Sequence, residues 1–136
     1  MALEQSTFQF TNPILLGLNF TLNRQYDSTE DVPIKTDFNV QIHKHNEKRE
    51  AIVELTLDIG EQTNQAPFFI SVTEGAKFTW NELADSRIEY LLSNNAPALL
   101  LGYIRPIVAT VTSSSPYETY HIPFIDFTKA NTKEVE

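Results

Sequence analysis

The chain has 136 residues, 41% of them hydrophobic and 21% charged, which suits one compact domain with its own core and excludes wholesale disorder. Eighteen acidic residues against 10 basic ones give a net charge of −8, so a nucleic-acid backbone is repelled and no such partner is expected. With no cysteine, disulfides, thiolate metal sites and cysteine nucleophiles are excluded.

The N-terminus, Met1-Ala2-Leu3-Glu4-Gln5, lacks the basic start and apolar stretch of a signal peptide, and no uninterrupted apolar run approaches the ~20 residues of a membrane span. A cytoplasmic protein without membrane insertion is expected. Phe8 and Phe10 begin an apolar face that Ile14, Leu16, Leu18, Phe20 and Leu22 continue. Pro13 interrupts it, and proline has no N–H for a ladder, so an edge strand or a bend is predicted there. Residues 23–33 read as a polar surface loop.

From 34 to 44 the alternation is clear: Ile34, Thr36, Phe38, Val40 and Ile42 point one way, and Lys35, Asp37, Asn39, Gln41 and His43 the other. That is a half-wet antiparallel strand. Asn46-Glu47-Lys48-Arg49 turns the chain, and Ala51, Val53, Leu55, Leu57 and Ile59 then alternate with Ile52, Glu54, Thr56 and Asp58. The pair predicts a hairpin. Beyond residue 67, Phe68, Ile70 and Val72 resume the pattern, and Ala76, Phe78 and Trp80 follow Gly75. A bulge at Gly75 is predicted, because Glu74 would otherwise face inward. The sum is a sheet of four strands in sequence order.

The period then changes. Residues 87–92 suit a short helix, and Asn94-Asn95-Ala96-Pro97 offers N-cap asparagines and a first-turn proline for a second, longer one. In it Leu100, Ile104, Ile107 and Val111 form one apolar stripe, while Leu99, Leu101, Tyr103 and Val108 make much of the remainder apolar. Leaving three or four such side chains wet would forgo about 5–10 kcal/mol, so cover by a second subunit is expected. Pro106 deletes one helical hydrogen bond and predicts a kink. Ser113-Ser114-Ser115-Pro116 ends the helix, 120–127 reads as extended with Pro123 barring a central strand, and 128–136 as a frayed polar tail to a single domain spanning 1–127.

Little catalytic chemistry is visible. His43 and His45 share a strand face, but no third ligand lies nearby and solvation explains them better, so no metal is expected. His121 beside Glu118 or Asp126 has no serine elbow or phosphate loop to accompany it, which points to a structural role and to no enzyme. Asn19-Phe20-Thr21 fits a glycosylation triplet that a chain without a secretory signal does not use. Asp37, Glu54 and Asp58 fall on the outer sheet face, either solvated or forming a charged docking surface. The aromatics outnumber the needs of one thin core, which admits an apolar groove for extended polypeptide.

Residues 95–105, Asn95-Ala96-Pro97-Ala98-Leu99-Leu100-Leu101-Gly102-Tyr103-Ile104-Arg105, resemble the helix opening of the SecB family of export chaperones, with Gly102 in place of a second proline. Ile122-Pro123-Phe124-Ile125-Asp126-Phe127 is similar to that family's extended segment after the helix, and 68–78 to its fourth strand. The resemblance covers roughly 8–127. It implies an α+β fold: a four-stranded antiparallel sheet with one long, kinked helix plus a short helix packed on one face, assembled as a homotetrameric dimer of dimers. It also implies an ATP-independent holdase for unfolded polypeptide that takes no cofactor. Phe10, Leu15, Phe20, Tyr26, Phe78, Trp80, Tyr117, Tyr120 and Phe124 are the expected client contacts, by aromatic placement and family geometry. Leu100, Tyr103, Ile104, Ile107, Val108 and Val111 are the expected interface between copies.

The family's leucine and glutamate that touch the SecA motor correspond to Phe69 and Ser71, which removes a docking charge from a surface of Asp37, Glu54, Asp58, Phe69 and Ser71. The sequence after Phe127 is too short for the family's C-terminal amphipathic helix, so client holding is expected to persist better than SecA docking. A chaperone devoted to one partner, such as an antitoxin, is an alternative. So are a small-ligand carrier with a closed aromatic cavity and a self-assembling structural protein.

Overall fold

The computed structural model describes residues 7–26, 33–62 and 66–129, together with the backbone of 132–135. The strands are β1 (Phe8–Phe10), β2 (Ile14–Leu22), β3 (Thr36–His45), β4 (Glu50–Gly60), β5 (Phe68–Trp80) and β6 (Thr132–Val135). They lie in the order β1-β5-β4-β3-β6, with β2 also on β5. Pro13 divides what is otherwise one edge strand into β1, opposite the end of β5, and β2, opposite its start. The antiparallel α+β architecture is the expected one, with an additional strand: the tail is not wholly frayed, because β6 pairs parallel to β3 from Val40 to His43. The physical reason is the row of backbone donors and acceptors that β3 presents at its outer edge. Residues 27–32 of the anticipated surface loop lie outside the described residues.

The period-two pattern of β3, β4 and β5 buries Val40, Ile42, Val53, Leu55, Leu57, Ile59, Ile70 and Val72 on one face. The β3–β4 turn passes through Arg49 in the left-handed region, φ 48°. At Gly60, φ is 82° and a Cβ would fall 2.0 Å from the Phe68 carbonyl oxygen, so only glycine fits.

Gly75 is not a bulge: β5 stays in register with β4 from Leu55↔Glu74 through Gly75 to Val53↔Ala76. The irregularity sits instead in β2, between Leu15 and Gly17. A Cβ on Gly75 would come within 2.8 Å of the Leu16 side chain, so glycine there seats the bulged leucine. Glu74 consequently does face inward and is 3% exposed.

Covering the inner face is a continuous helical run, Glu82–Ser113, rather than two helices. It opens as a 3-10 turn (Glu82–Arg87), continues as α1 (Ile88–Tyr90) and a π turn (Leu91–Asn95), and ends as α2 (Ala96–Ser113). Asn81 is the N-cap, accepting from the Leu83 N–H at 2.9 Å, and Asn95 has helical dihedrals with no side-chain cap bond. Pro97 explains the π turn: it has no N–H for the preceding turn, and its ring crowds the carbonyl four residues back, which a wider turn accommodates. Ala84, Ile88, Leu92, Ala96, Leu100, Ile104, Val108 and Thr112 are all buried, one at every fourth position. The run has the length and apolarity of a membrane-crossing helix, contrary to the reading from uninterrupted apolar stretches, but this stripe packs on β4 and β5 as a core helix does.

Beyond α2 the chain returns over the sheet. Buried Thr112 accepts from the Tyr120 N–H at 2.9 Å and donates to the Val108 carbonyl. Phe127, also buried, meets Phe38 edge to face with centroids 5.0 Å apart.

Candidate functional site

The β2 edge departs from the rest of the molecule. Its residues alternate between faces in register with β5, so Leu15, Leu18, Phe20 and Leu22 lie on the helix-facing side with Glu74, Val72, Ile70 and Phe68. No described strand covers the other side of β2. Ile14, Leu15, Leu16 and Leu18 are therefore 62%, 44%, 53% and 43% exposed, a contiguous apolar row of the kind that soluble monomers rarely leave open. Phe10 on β1 extends this edge and is also exposed. The sequence pattern put Ile14 and Leu16 on one face with Leu18, Phe20 and Leu22 but named none of the first three as a site. The bulge at Leu16 shifts the parity, so Ile14 pairs with Gly75 and Leu15 takes the inward position opposite Glu74. The signal was present: Ile14-Leu15-Leu16 breaks the alternation, as a strand that is apolar on both faces does.

Of the expected client contacts, Phe10, Leu15 and Phe124 are exposed. Phe124 follows a backbone stretch that Arg105 holds by donating to the carbonyls of Ile122 and Pro123, the two residues before it. Phe20, Tyr26, Tyr117 and Tyr120 are half-buried and form an aromatic seam at the end of the sheet. Phe20 and Tyr120 both contact Phe68, with centroids 6.0 and 6.2 Å away, and Tyr26 meets Tyr117 edge-on at 5.6 Å. Tyr117 Oη donates to the Asn23 carbonyl, and Tyr120 Oη bonds Thr36 Oγ1 at 2.8 Å.

Phe78 and Trp80 are placed differently: both are buried, because they share the inward parity of Phe68, Ile70 and Val72. Phe78 stacks on Phe8 at 5.3 Å. Trp80 Nε1 donates to Asp85, which also holds Arg49 through paired hydrogen bonds. The Arg49 guanidinium holds the Asp85 carboxyl below its ordinary pKa, tying the hairpin turn to the start of the helix.

The expected interface residues divide in two. Leu100, Ile104 and Val108 are 0% exposed and form the stripe on the protomer's own sheet, so they offer nothing to a second copy. Tyr103 is 42% exposed, while Ile107, which packs against the core, and Val111 are half-buried at the margin of the inward stripe.

On the outer sheet face the proposed docking residues are brought together. Asp37, Asp58 and Ser71 occupy successive strands in register, Phe69 lies opposite Gly60, and Glu54 sits further along β4. Two carboxylates directly opposite one another repel, and Lys35 lies 3.7 Å from Asp37. At the far end of this face, His43 and His45 line a cleft of about 360 Å³ with Lys44, Glu50, Ala51, Ile52 and Lys77. Among the described residues no three potential ligands converge on a metal position. Asp126, considered as a partner for His121, instead accepts from the backbone and hydroxyl of Thr128, which lower its pKa.

Glu74 is the unexpected polar group. Its Oε2 is buried with no hydrogen-bond partner, and desolvation pushes its pKa up. Its cross-strand neighbours are Leu55 and Leu15.

The family model for SecB, preprotein translocase subunit, matches residues 18–136. An uncharacterized protein of Methanocaldococcus jannaschii is 24% identical over 94% of this chain and 86% of its own length. The protein-export protein SecB of Orientia tsutsugamushi strain Boryong is 25% identical over 78% of this chain and 67% of its own. Among solved structures, the SecB-like chaperone of Mycobacterium tuberculosis, in complex with a ChAD peptide from the HigA1 antitoxin, superposes with a TM-score of 0.71 at 13% identity, covering 88% of this chain and 91% of that one. The fold agrees with the match of the family model over most of the sequence, and the chain belongs to the SecB family.

Proposed function

We propose that this protein is an ATP-independent holdase that binds unfolded or non-native polypeptide in the cytoplasm. The observation that carries the reading is the exposed apolar β2 edge, where Ile14, Leu15, Leu16 and Leu18 stand open to solvent beside Phe10 and the aromatic seam. An extended client contacts such a surface by backbone pairing along the edge and by filling apolar positions on alternate residues. Copies of the chain associate through the helix at exposed Tyr103 and the half-buried margin of Ile107 and Val111, as a dimer of dimers. A single dedicated client segment, of the kind the mycobacterial neighbour binds from an antitoxin, fits the same surface. The outer face of Asp37, Glu54, Asp58, Phe69 and Ser71 is the docking surface for a partner such as SecA.

The test is size-exclusion chromatography with light scattering, on the protein alone and after mixing with a chemically unfolded client. A tetramer that carries the unfolded client, and ignores the same client once folded, supports the proposal. A monomer with no co-elution refutes it and favours the ligand carrier. An assembly that never takes client favours the structural protein.

A further inference from the structure

We propose that the outer edge of β3 is a strand-addition site for an extended client segment, and that the chain's own C-terminal strand β6 occupies it as an internal competitor. The inference rests on the holdase reading and adds where one client segment pairs and what restrains it. β6 pairs parallel with Val40, Gln41, Ile42 and His43 through residues 132–135. β3 itself runs ten residues, Thr36–His45, so the tail covers less than half of it.

Three features make this pairing replaceable. Parallel pairing is slightly weaker per residue than antiparallel, and strands this short are marginal. The sequence Thr132-Lys133-Glu134-Val135 brings one apolar residue. The register sets position 132 opposite Val40 and position 134 opposite Ile42, both buried on the helix-facing side. By strand propensity and cross-strand pairing, a client segment with apolar residues at those two alternate positions is favoured over a sequence with threonine and glutamate there.

The tail is also kept close. Phe127, 6% exposed, is held against Phe38, so only a few residues separate a fixed anchor from β6. A short tether of that kind gives an effective concentration in roughly the millimolar range. A tail seated about nine times in ten lowers the apparent client affinity about tenfold, and unseating it restores that factor.

The experiment uses the full-length chain and two paired variants. Lys133→Pro with Glu134→Pro removes two backbone donors from β6 and leaves the net charge unchanged. Thr132→Val with Glu134→Val strengthens the tail opposite Val40 and Ile42. The probe is a reduced, alkylated, fluorescently labelled polypeptide that cannot refold, titrated by anisotropy, with amide hydrogen exchange read at Val40 to His43.

The proline variant is expected to bind about tenfold tighter, with faster exchange at those amides until client is added. The valine variant is expected to bind several-fold more weakly. Equal affinity for all three, with the unaltered chain binding the probe, overturns this inference and leaves the holdase reading standing. No binding by any of them overturns the holdase reading, and this inference falls with it.

Discussion

Glu74→Met is expected to stabilise the protein, and to do so more at neutral than at acid pH. Glu74 lies between Val72 and Ala76 on the helix-facing side of β5, 3% exposed, with Oε2 lacking a partner. Leaving such an acceptor buried and unpaired costs about 1–3 kcal/mol, more for a charged group. Methionine has similar length, fills the same space and carries no group that needs solvation. Burial raises the folded-state pKa of the carboxyl above its ordinary 4.5. Below that value both states are protonated and no charge is buried. As pH rises through it the unfolded chain ionises first, and the native state loses stability until the folded pKa is passed.

The gain from the substitution is therefore smallest in acid and larger at pH 7.5, where it is on the order of 1–3 kcal/mol and each kcal/mol raises Tm by roughly 3–5 °C. Glu74→Gln, which keeps the shape and removes the charge, should recover part of it. The assay is thermal unfolding by circular dichroism in acid and at pH 7.5, at one protomer concentration, since assembly also shifts Tm. A methionine variant less stable than the parent at pH 7.5, or a gap that does not change with pH, refutes the assignment of Glu74 as an uncompensated buried acid.

Other outcomes follow from the same geometry. Thr112→Val leaves the Tyr120 N–H without its acceptor and should cost about 1–2 kcal/mol in chemical denaturation, with Thr112→Ser recovering most of it. Asp85→Ala releases both Arg49 and Trp80 and should lower Tm at neutral pH. Because the folded pKa of Asp85 is depressed, its contribution is present above about pH 4 and disappears as pH falls through the folded value, so parent and variant should converge in acid. Ile104→Ala opens a cavity in the core and should cost about 2–5 kcal/mol, whereas Tyr103→Ala should leave protomer stability nearly unchanged and reduce the assembled mass in light scattering. Equal effects of these two on unfolding would contradict the division of the helix into an inward and an outward side.

The half-wet strands were legible because burial on one face imposes a period of two: Phe38, Val40 and Ile42, and then Val53, Leu55, Leu57 and Ile59, fall where the alternation puts them. The same parity assigns Phe78 and Trp80 to the core, so their burial was readable as well; placement by aromatic character alone overrode it. Glu74 was misread because an inward carboxylate costs free energy, and a bulge at the adjacent glycine offered an inexpensive escape. The bulge formed at Leu16 instead, where an edge strand is freer to bend.

The helix boundary failed for a related reason. Asn94-Asn95-Ala96-Pro97 carries the chemistry of a helix start, yet a run already begun at Asn81 absorbs the proline in a π turn. Two further features lay beyond local pattern. The pairing of β6 with β3 joins residues about ninety positions apart through backbone groups, and the exposure of Ile14, Leu16 and Leu18 depends on which strand ends the sheet.

The central claim is that the exposed apolar edge holds non-native chains. Its most direct test dilutes a chemically denatured, aggregation-prone client into buffer without nucleotide and follows light scattering as the protein is added. Suppression that saturates at a fixed ratio of protomer to client, is lost in Leu18→Lys at unchanged stability, and needs no ATP is the expected result. Aggregation that proceeds equally with and without the protein would contradict the account.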